Sequence, residues 1–388
     1  MHRADAPAVQ IILSVDAIQP PLTGLGHYVL QLARGLRQHP AVNDIRFFSA
    51  YRWIADPKQA LRVNQSLSYV RNHVPFKTLA LHLYNFARGQ LFRWHARNLK
   101  NHVLHTPNYI LMPFPGAAVT TVHDLSYLHY PQHHPRERIA FMERQMPRTL
   151  AQAAMIITDS EFVRQELIDL LGVAAHRIQT VPLGVDESFH PRSPAALTPT
   201  LNRYGLADLS YLLVVATLEP RKNLLGLLEA YSRLPEALRR RYPLVIAGAR
   251  GWLSKALEQR LEPLERSGQI RRLGYVSQDD LPRLYAGAHA FAYPSLYEGF
   301  GLPVLEALAS GVPVLISDRS SLPEVAGDAA LLVNPEDTDV LTAGLERLLI
   351  DQEWRMRAIE QGLRQARQFS WKQCITATID VYRRALAG

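Results

Sequence analysis

The sequence predicts an α/β protein of two Rossmann-like domains facing a cleft. Three observations predict it. Short apolar runs alternate with helix-length segments along most of the chain, the pattern of parallel sheets covered on both faces. The alternation occurs twice, separated by a proline-marked connector over 184–205 with little element-forming pattern. A length of 388 residues with 47% apolar content suffices for two ordinary domains with their own cores. The domains are expected at 1–188 and 206–370.

The elements follow in order. Val9 to Val15 reads as a buried first strand. Pro20 to Tyr28 is a loop entering a helix whose apolar stripe is Leu25, Val29, Leu32 and Leu36. Ile45 to Ser49 is the second strand; Val103 to His105, Ala118 to Val122 and Ala154 to Thr158 are the next three. Asp159 and Ser160 read as caps of a helix ending near Leu171, and Ile178 to Val181 closes the first half. The second half begins with strand Tyr211 to Ala216 and a helix from Asn223. Strands at Leu244 to Gly248, Ile270 to Leu273 and Ala290 to Tyr293 alternate with helices near 254–265 and from Asp280. A glycine loop, a helix from about Leu302, a strand from Val312, another at Ala330 to Val333 and terminal helices complete it.

Composition narrows the setting. The single cysteine, Cys374, rules out an internal disulfide framework and fits a reducing compartment. The first residues lack a signal-peptide core, and no apolar run approaches the roughly 20 residues of a membrane span. The expected location is cytoplasmic. The formal charge of +8 is concentrated: residues 57–123 contain no Asp or Glu but carry Lys58, Arg62, Arg71, Lys77, Arg88, Arg93, Arg97 and Lys100. Phe76, Leu79, Leu83, Phe86, Leu91, Phe92 and Trp94 interleave with them. An anionic membrane, a nucleic acid or a phosphorylated acceptor would suit such a surface; so would a helix packing its aromatics inward beneath a solvated basic face.

The chemistry gathers around Tyr293 to Leu315. Here a strand end, the turn Glu298-Gly-Phe-Gly301 and a helix follow one another. A glycine loop opening a helix is an anion site, because free N–H groups and the helix dipole point the same way. Glu298 and Glu306 bracket it; carboxylates suit a phosphate joined to hydroxyl-rich groups. Arg221 and Lys222 stand where another helix opens, beside a strand's carboxyl end, and suit a phosphate between them. An exposed pair with no task is the alternative. Gly24-Leu-Gly26 fails the dinucleotide fingerprint, since His27, Tyr28 and Val29 follow it. It serves either as a turn admitting a ligand phosphate or as a simple helix entry. His123-Asp124 ends a strand, so His123 is a ligand contact or a turn residue. Asp337, Asp339, Asp279 and Asp280 read as helix caps, and no tightly held metal is expected.

Glu298 and Glu306 form Glu-x7-Glu within Pro294-Ser-Leu-Tyr-Glu-Gly-Phe-Gly-Leu-Pro-Val-Leu-Glu-Ala307. With Thr217-Leu-Glu-Pro-Arg-Lys-Asn223 and Gly311-Val-Pro-Val314, this resembles family 4 (group 1) of the retaining glycosyltransferases, which have the GT-B fold. The second half resembles it strongly, the first more loosely through Gly24-Leu-Gly26, Val122-His-Asp124, Thr158-Asp-Ser160 and Val181-Pro-Leu-Gly-Val-Asp186. The resemblance implies an acceptor-side first domain, onto which the helix of 371–388 packs back, and a donor-side second domain. It implies that Arg221 and Lys222 hold the donor diphosphate and Glu298 the donor sugar. The backbone of Gly299, Phe300, Gly301 and Leu302 would approach sugar and phosphate. Glu306 would bind the ribose, and Gly274, Tyr275 and Val276 would lie near the base. His123 would bond a sugar hydroxyl, and Gly24 and Gly26 would close over the phosphates. Two departures stand out: Ala216-Thr217 replaces an Arg common in relatives, and Leu183 replaces a common Asn.

The expected activity is metal-independent transfer of a hexosyl group from a nucleotide-diphosphate sugar to an acceptor hydroxyl, with retention. No separate cofactor is expected. The Thr217 to Asn223 version resembles bacterial mannosyl- and rhamnosyltransferases of surface-polysaccharide synthesis, implying a GDP-sugar such as GDP-mannose. The acceptor would be a saccharide or polyprenyl-diphosphate-linked sugar, and residues 57–123 would hold the enzyme peripherally on the cytoplasmic face of the inner membrane. A sugar-nucleotide epimerase or a glucan- or sucrose-type transferase is the enzymatic alternative. A two-lobed sugar-binding protein is the non-enzymatic one, though it has no need of Arg221 and Lys222. No nucleic-acid partner is expected; steeply salt-dependent binding to unrelated DNA would reveal one.

Overall fold

The computed structural model describes residues 8–62, 77–207, 210–249 and 255–388, and the side chains of all these except 77–86 and 255–256. The chain divides into two compact units: Met1–Gly184 with Trp371–Gly388, and Val185–Ser370.

The first unit is built on seven strands: β1 (Val9–Ser14), β2 (Val42–Ser49), β3 (Arg52–Ile54), β4 (Val103–Thr106), β5 (Ala118–Val122), β6 (Met155–Thr158) and β7 (Ile178–Thr180). Their order is β3-β2-β1-β4-β5-β6-β7, and only the edge strand β3 runs antiparallel to its neighbour. Every residue of β4, β5 and β6 is buried, which explains their unbroken apolar and threonine runs: a parallel sheet is covered on both faces. The strand order reverses between β1 and β4, so the carboxyl ends around that switch point form the ligand-binding edge of such sheets.

The helix Gly24–Gln38 buries Tyr28, Val29, Leu32 and Leu36 along its inner stripe. Against it and the sheet packs the closing helix Trp371–Ala387, which buries Cys374, Ile375, Ile379 and Tyr382. Gly35 permits that approach, since a Cβ there would meet the Ile375 Cδ1 at 1.6 Å.

The second unit holds six parallel strands: β8 (Leu212–Val215), β9 (Leu244–Ala247), β10 (Ile270–Gly274), β11 (Ala290–Tyr293), β12 (Val314–Ser317) and β13 (Ala330–Val333). Their order is β10-β9-β8-β11-β12-β13, with the reversal between β8 and β11. The turns after these two strands carry Arg221-Lys222 and Glu298.

Two expectations need correction. The connector is not featureless: Pro194–Arg203 is a helix, entered at Pro194, where a missing N–H costs nothing, and it packs on the helix Leu281–Gly287. Asp280 does not cap that second helix; its carboxylate takes Arg203 Nη1 at 2.7 and 2.8 Å and the Tyr204 hydroxyl at 3.0 Å. Asp337 does cap, accepting from the N–H groups of Asp339 and Val340.

The basic region is only partly described. Arg71 and Phe76 lie outside the described residues, as do the side chains of Lys77, Leu79, Leu83 and Phe86. Of the rest, Arg88 turns inward, pairing with Asp16 and donating to the Ala50 carbonyl at 2.7 Å. Phe92 is fully buried with its ring 4.8 Å from that of Phe48. Leu91, Arg93 and Arg97 are exposed, as is Trp94, over which the Arg97 guanidinium lies at 5.3 Å. In the described part of the helix Lys77–Ala96, from 87 onward, the inward reading therefore holds for Arg88 and Phe92, while Leu91, Arg93 and Trp94 face outward. Among the described residues no helix is long and apolar enough to cross a membrane.

Candidate active site

In the second unit the switch point is occupied by a buried ion cluster. Pro220–Lys222 forms a single 3-10 turn after β8, and Asn223, at φ 53°, redirects the chain into the helix Leu224–Arg233. This turn presents both cations towards β11. Lys222 Nζ donates to Glu298 Oε1 at 2.6 Å and to the Tyr293 hydroxyl at 2.8 Å. Arg221 Nη1 donates to Glu298 Oε2 at 3.2 Å and to the Tyr297 carbonyl at 2.6 Å. Ser295 Oγ adds a 2.6 Å bond to Glu298 Oε1. The three charged side chains are only 9–13% exposed.

This changes the picture of Glu298. It is not an independent acceptor but the common counter-ion of Arg221 and Lys222. A carboxylate offers about four lone-pair sites, and the three bonds above, with one from the Tyr293 hydroxyl, engage them all. Burial alone would raise its pKa; Lys222 and Arg221 outweigh that and hold it below the ordinary carboxylate range. Burial pulls Lys222 down, against the attraction of Glu298.

The loop is fixed from behind. Ser320 Oγ accepts the Glu298 N–H at 3.0 Å, and Ser321 Oγ donates to the carbonyls of Glu298 and Phe300 at 2.9 and 2.8 Å. Gly299 and Phe300 are buried, the Phe300 ring standing edge-on to Phe369. Gly301 sits at φ 111° before the helix Leu302–Ala309 and has no side-chain cap. A Cβ on Gly301 would meet Leu322 at 2.6 Å. The first turn carries no acid, so the dipole at this helix start is not countered by one.

Glu306 lies one turn further on, half-buried. Burial, opposed by the Tyr285 hydroxyl and reinforced by Asp186, pushes its carboxyl up to about 8. Gly274 ends β10 at φ 68° with open space where a Cβ would stand. Tyr275 after it is 50% exposed, and Val276 is buried.

The first unit places its predicted residues along its own ligand edge. Gly24 and Gly26 lie in the first turn of a helix rather than in the loop before it. Gly26 answers a packing need, since a Cβ would meet Leu22 at 2.7 Å and the Ala17 carbonyl at 3.0 Å. Gly24 answers none: nothing stands within 4 Å, which leaves its backbone open to a ligand. His123 follows β5, with both ring nitrogens occupied: Nδ1 faces Asp159 Oδ2 at 2.6 Å and Nε2 donates to the Pro107 carbonyl at 3.0 Å.

Family models for glycosyl transferases group 1 and for glycosyltransferase family 4 match residues 204–365 and 22–189. The O-antigen chain mannosyltransferase B of Escherichia coli is 42% identical over 381 residues, covering 97% of this chain and all of that protein. This chain belongs to the group 1 glycosyltransferases. Its fold matches the sucrose-phosphate synthase of Thermosynechococcus elongatus, with a TM-score of 0.75 at 21% identity over 98% of this chain and 99% of that one. It also matches WaaG, a glycosyltransferase involved in lipopolysaccharide biosynthesis, with a TM-score of 0.73 at 18% identity over 96% of this chain and 99% of that one. The chain is thus an enzyme of the GT-B fold.

Two cations and an uncapped helix start meet at one switch point, an arrangement able to stabilise a group that departs with negative charge. Sequence reasoning missed Ser295, Tyr293 and Ser320, which orient the cluster, and Asp159, which holds His123. Ser295 stood inside the motif and was detectable there; Ser320 and Asp159 act across 22 and 36 residues, with no local signal.

Proposed function

We propose that this glycosyltransferase transfers mannose from GDP-mannose, with retention, to a hydroxyl of a saccharide or polyprenyl-diphosphate-linked acceptor in O-antigen synthesis. The observation that carries the reading is the 42% identity to the O-antigen mannosyltransferase along 97% of the chain.

In this mechanism Arg221, Lys222 and the N–H groups around Gly301 stabilise the leaving diphosphate, and no metal is needed for it. Glu298, already tethered by Lys222 and Ser295, takes a sugar hydroxyl by exchanging one of its present bonds and favours positive charge on the ring. The acceptor hydroxyl attacks from the face the diphosphate leaves. Glu306 receives the ribose hydroxyls, and Tyr275 stacks on the base. Gly24 and Gly26 serve the phosphates, and His123 reaches a sugar hydroxyl only by exchanging its bond to the Pro107 carbonyl. A thermal-shift panel of GDP-, UDP-, ADP- and dTDP-sugars tests the donor through ligand linkage. Stabilisation by GDP-mannose above the others is expected; no shift with any of them would overturn the reading. A transfer assay with and without EDTA tests metal independence.

The Glu306 assignment predicts a pH dependence. If the ribose takes the carboxylate form, its proton must leave on binding. Nucleotide affinity then rises from pH 7 through about 8 and levels off above. Calorimetry in buffers of different ionisation heat should detect the released proton at pH 7, and Glu306→Gln should abolish both effects. A flat affinity profile in the unaltered enzyme would remove the assignment.

For the membrane, the exposed Leu91, Arg93, Trp94 and Arg97 are the surface we assign to anionic lipid. Arg93→Glu with Arg97→Glu should lower recovery on phosphatidylglycerol vesicles severalfold without changing the melting temperature. Arg88 is unsuited to this test, because its pairing with Asp16 makes it structural.

A further inference from the structure

Pro107, His123 and Asp159 are the first residues beyond the carboxyl ends of the neighbouring strands β4, β5 and β6. The sheet therefore sets them in a row along the ligand edge of the first unit. The imidazole of His123 lies between the other two. Its Nε2 faces only a carbonyl oxygen, an acceptor that requires an N–H. Its Nδ1 faces a carboxylate oxygen at 2.6 Å, within the range of charge-assisted bonds. Two acceptors on two ring nitrogens are satisfied by the doubly protonated ring.

The ring cannot easily turn away from this arrangement. Tyr28 meets it edge-on at 5.1 Å and Tyr109 at 5.8 Å. Asp159 is buried, and its Oδ1 has no hydrogen-bond partner among the described residues, so its negative charge is answered chiefly by His123. Asp159 is not the cap of the following helix: Ser160 is, accepting from the Val163 N–H.

We infer that Asp159 is a positioning residue that keeps His123 doubly protonated, fixing a positive charge at this edge of the first sheet. Burial raises the Asp159 carboxyl above its ordinary value, against the pull of His123. Asp124 adds a second negative charge beside His123. Burial lowers the His123 pKa, but Asp159, the Pro107 carbonyl and Asp124 together raise it above the ordinary value. His105, buried on β4, lies between the hydroxyls of Thr121 and Tyr382 and needs no charge; burial and the neighbouring His123 push it down to about 3. Cys374 and the hydroxyls of Tyr28 and Tyr382 are all shifted upward by burial, so they stay neutral. The charge is thus confined to one ring. A ring held in this way has both N–H groups engaged by Asp159 and Pro107, so it acts on a ligand at close range through its fixed charge rather than through a further hydrogen bond. What the charge acts on rests on the proposed function; the charge itself does not.

The experiment separates the two. Nitrogen-15 NMR of histidine-labelled full-length protein, with His123→Gln to assign the signal, should show an imidazolium at pH 7.5. Asp159→Asn keeps a hydrogen-bonding group in place but removes the charge, and should yield a neutral ring at the same pH; Asp159→Glu should restore the imidazolium. In the transfer assay Asp159→Asn should lower kcat by about 100-fold, the scale of one lost electrostatic contact, with donor KM changed far less, and Asp159→Glu should recover part of the rate. A neutral His123 in the unaltered protein would overturn the inference, as would an Asp159→Asn enzyme whose pH–rate profile is unchanged. If Asp159→Asn fails to fold, the unaltered and Asp159→Glu spectra still decide. If no nucleotide sugar is turned over, the proposed function fails while the spectra stand.

Discussion

Replacing Glu298 by alanine should remove about 3–5 kcal/mol of stability, the cost of breaking a buried ion pair from one side, as well as most of the activity. The structure makes both effects follow from one side chain. Glu298 is the shared partner of Lys222 at 2.6 Å and Arg221 at 3.2 Å, and each cation is largely excluded from water. Without it two positive charges remain in a buried site, and the Ser295 hydroxyl loses its closest acceptor. Differential scanning calorimetry should show the second unit melting earlier. Glu298→Gln, which keeps the shape and one acceptor, should lose less. A nucleoside diphosphate should stabilise the alanine variant more than the unaltered enzyme, because its phosphates supply the missing negative charge. Combining Glu298→Ala with Lys222→Met should cost less than the sum of the single changes. An alanine variant as stable as the parent would show that Arg221 and Lys222 find other partners and would remove Glu298 from the centre of the cluster. Because its carboxyl pKa is depressed, the pair's contribution is present above the ordinary carboxylate value of 4.5 and is lost as pH falls below it.

Deleting 371–388 should unfold the first unit and leave the second folded. The closing helix contributes Cys374, Ile375, Ile379, Val381 and Tyr382 to the core of the first unit, all at most 5% exposed. Its Tyr382 hydroxyl is also the partner of His105 Nδ1 at 2.7 Å. Limited proteolysis of the truncated protein should yield a resistant fragment near 185–370 and digest the remainder. A milder variant, Tyr382→Phe, strands His105 Nδ1 and should cost about 1–3 kcal/mol, the penalty of a buried polar atom left unpaired. Equal resistance of residues before 184 with and without the helix would refute the dependence.

Much of this arrangement was legible in the sequence because its causes are local. The largely apolar runs of β4 to β6 and of β8, β9, β11 and β12 announce strands covered on both faces. The turn Glu219 to Asn223 and the loop Glu298 to Gly301 announce ligand contacts by placing cations and glycines where helices open. The helix Pro194–Arg203 was hidden because Pro194 and Pro199 read as breakers. Its stability comes from Leu197 and Leu201, which are buried in the second unit, not from its own propensity. Asp280 and Asp159 were misread for a related reason. Aspartate before a helix is ordinarily a cap, and only the folded chain brings Arg203 to one and His123 to the other. The saturation of Glu298 was equally invisible, since spacing shows which groups approach a site but not which of them neutralise each other.

The closing helix also sets an order of events during synthesis. Residues 371–388 leave the ribosome only after the whole second unit has been made, yet the first unit needs them to complete its core. The nascent chain therefore carries an unfinished first sheet, with His105 lacking its tyrosine and the inner face of the helix Gly24–Gln38 uncovered, while residues 185–370 already have all they need to fold. The usual sequence of domain folding, N-terminal first, should therefore reverse, with the first unit completing its core only after residues 371–388 are made.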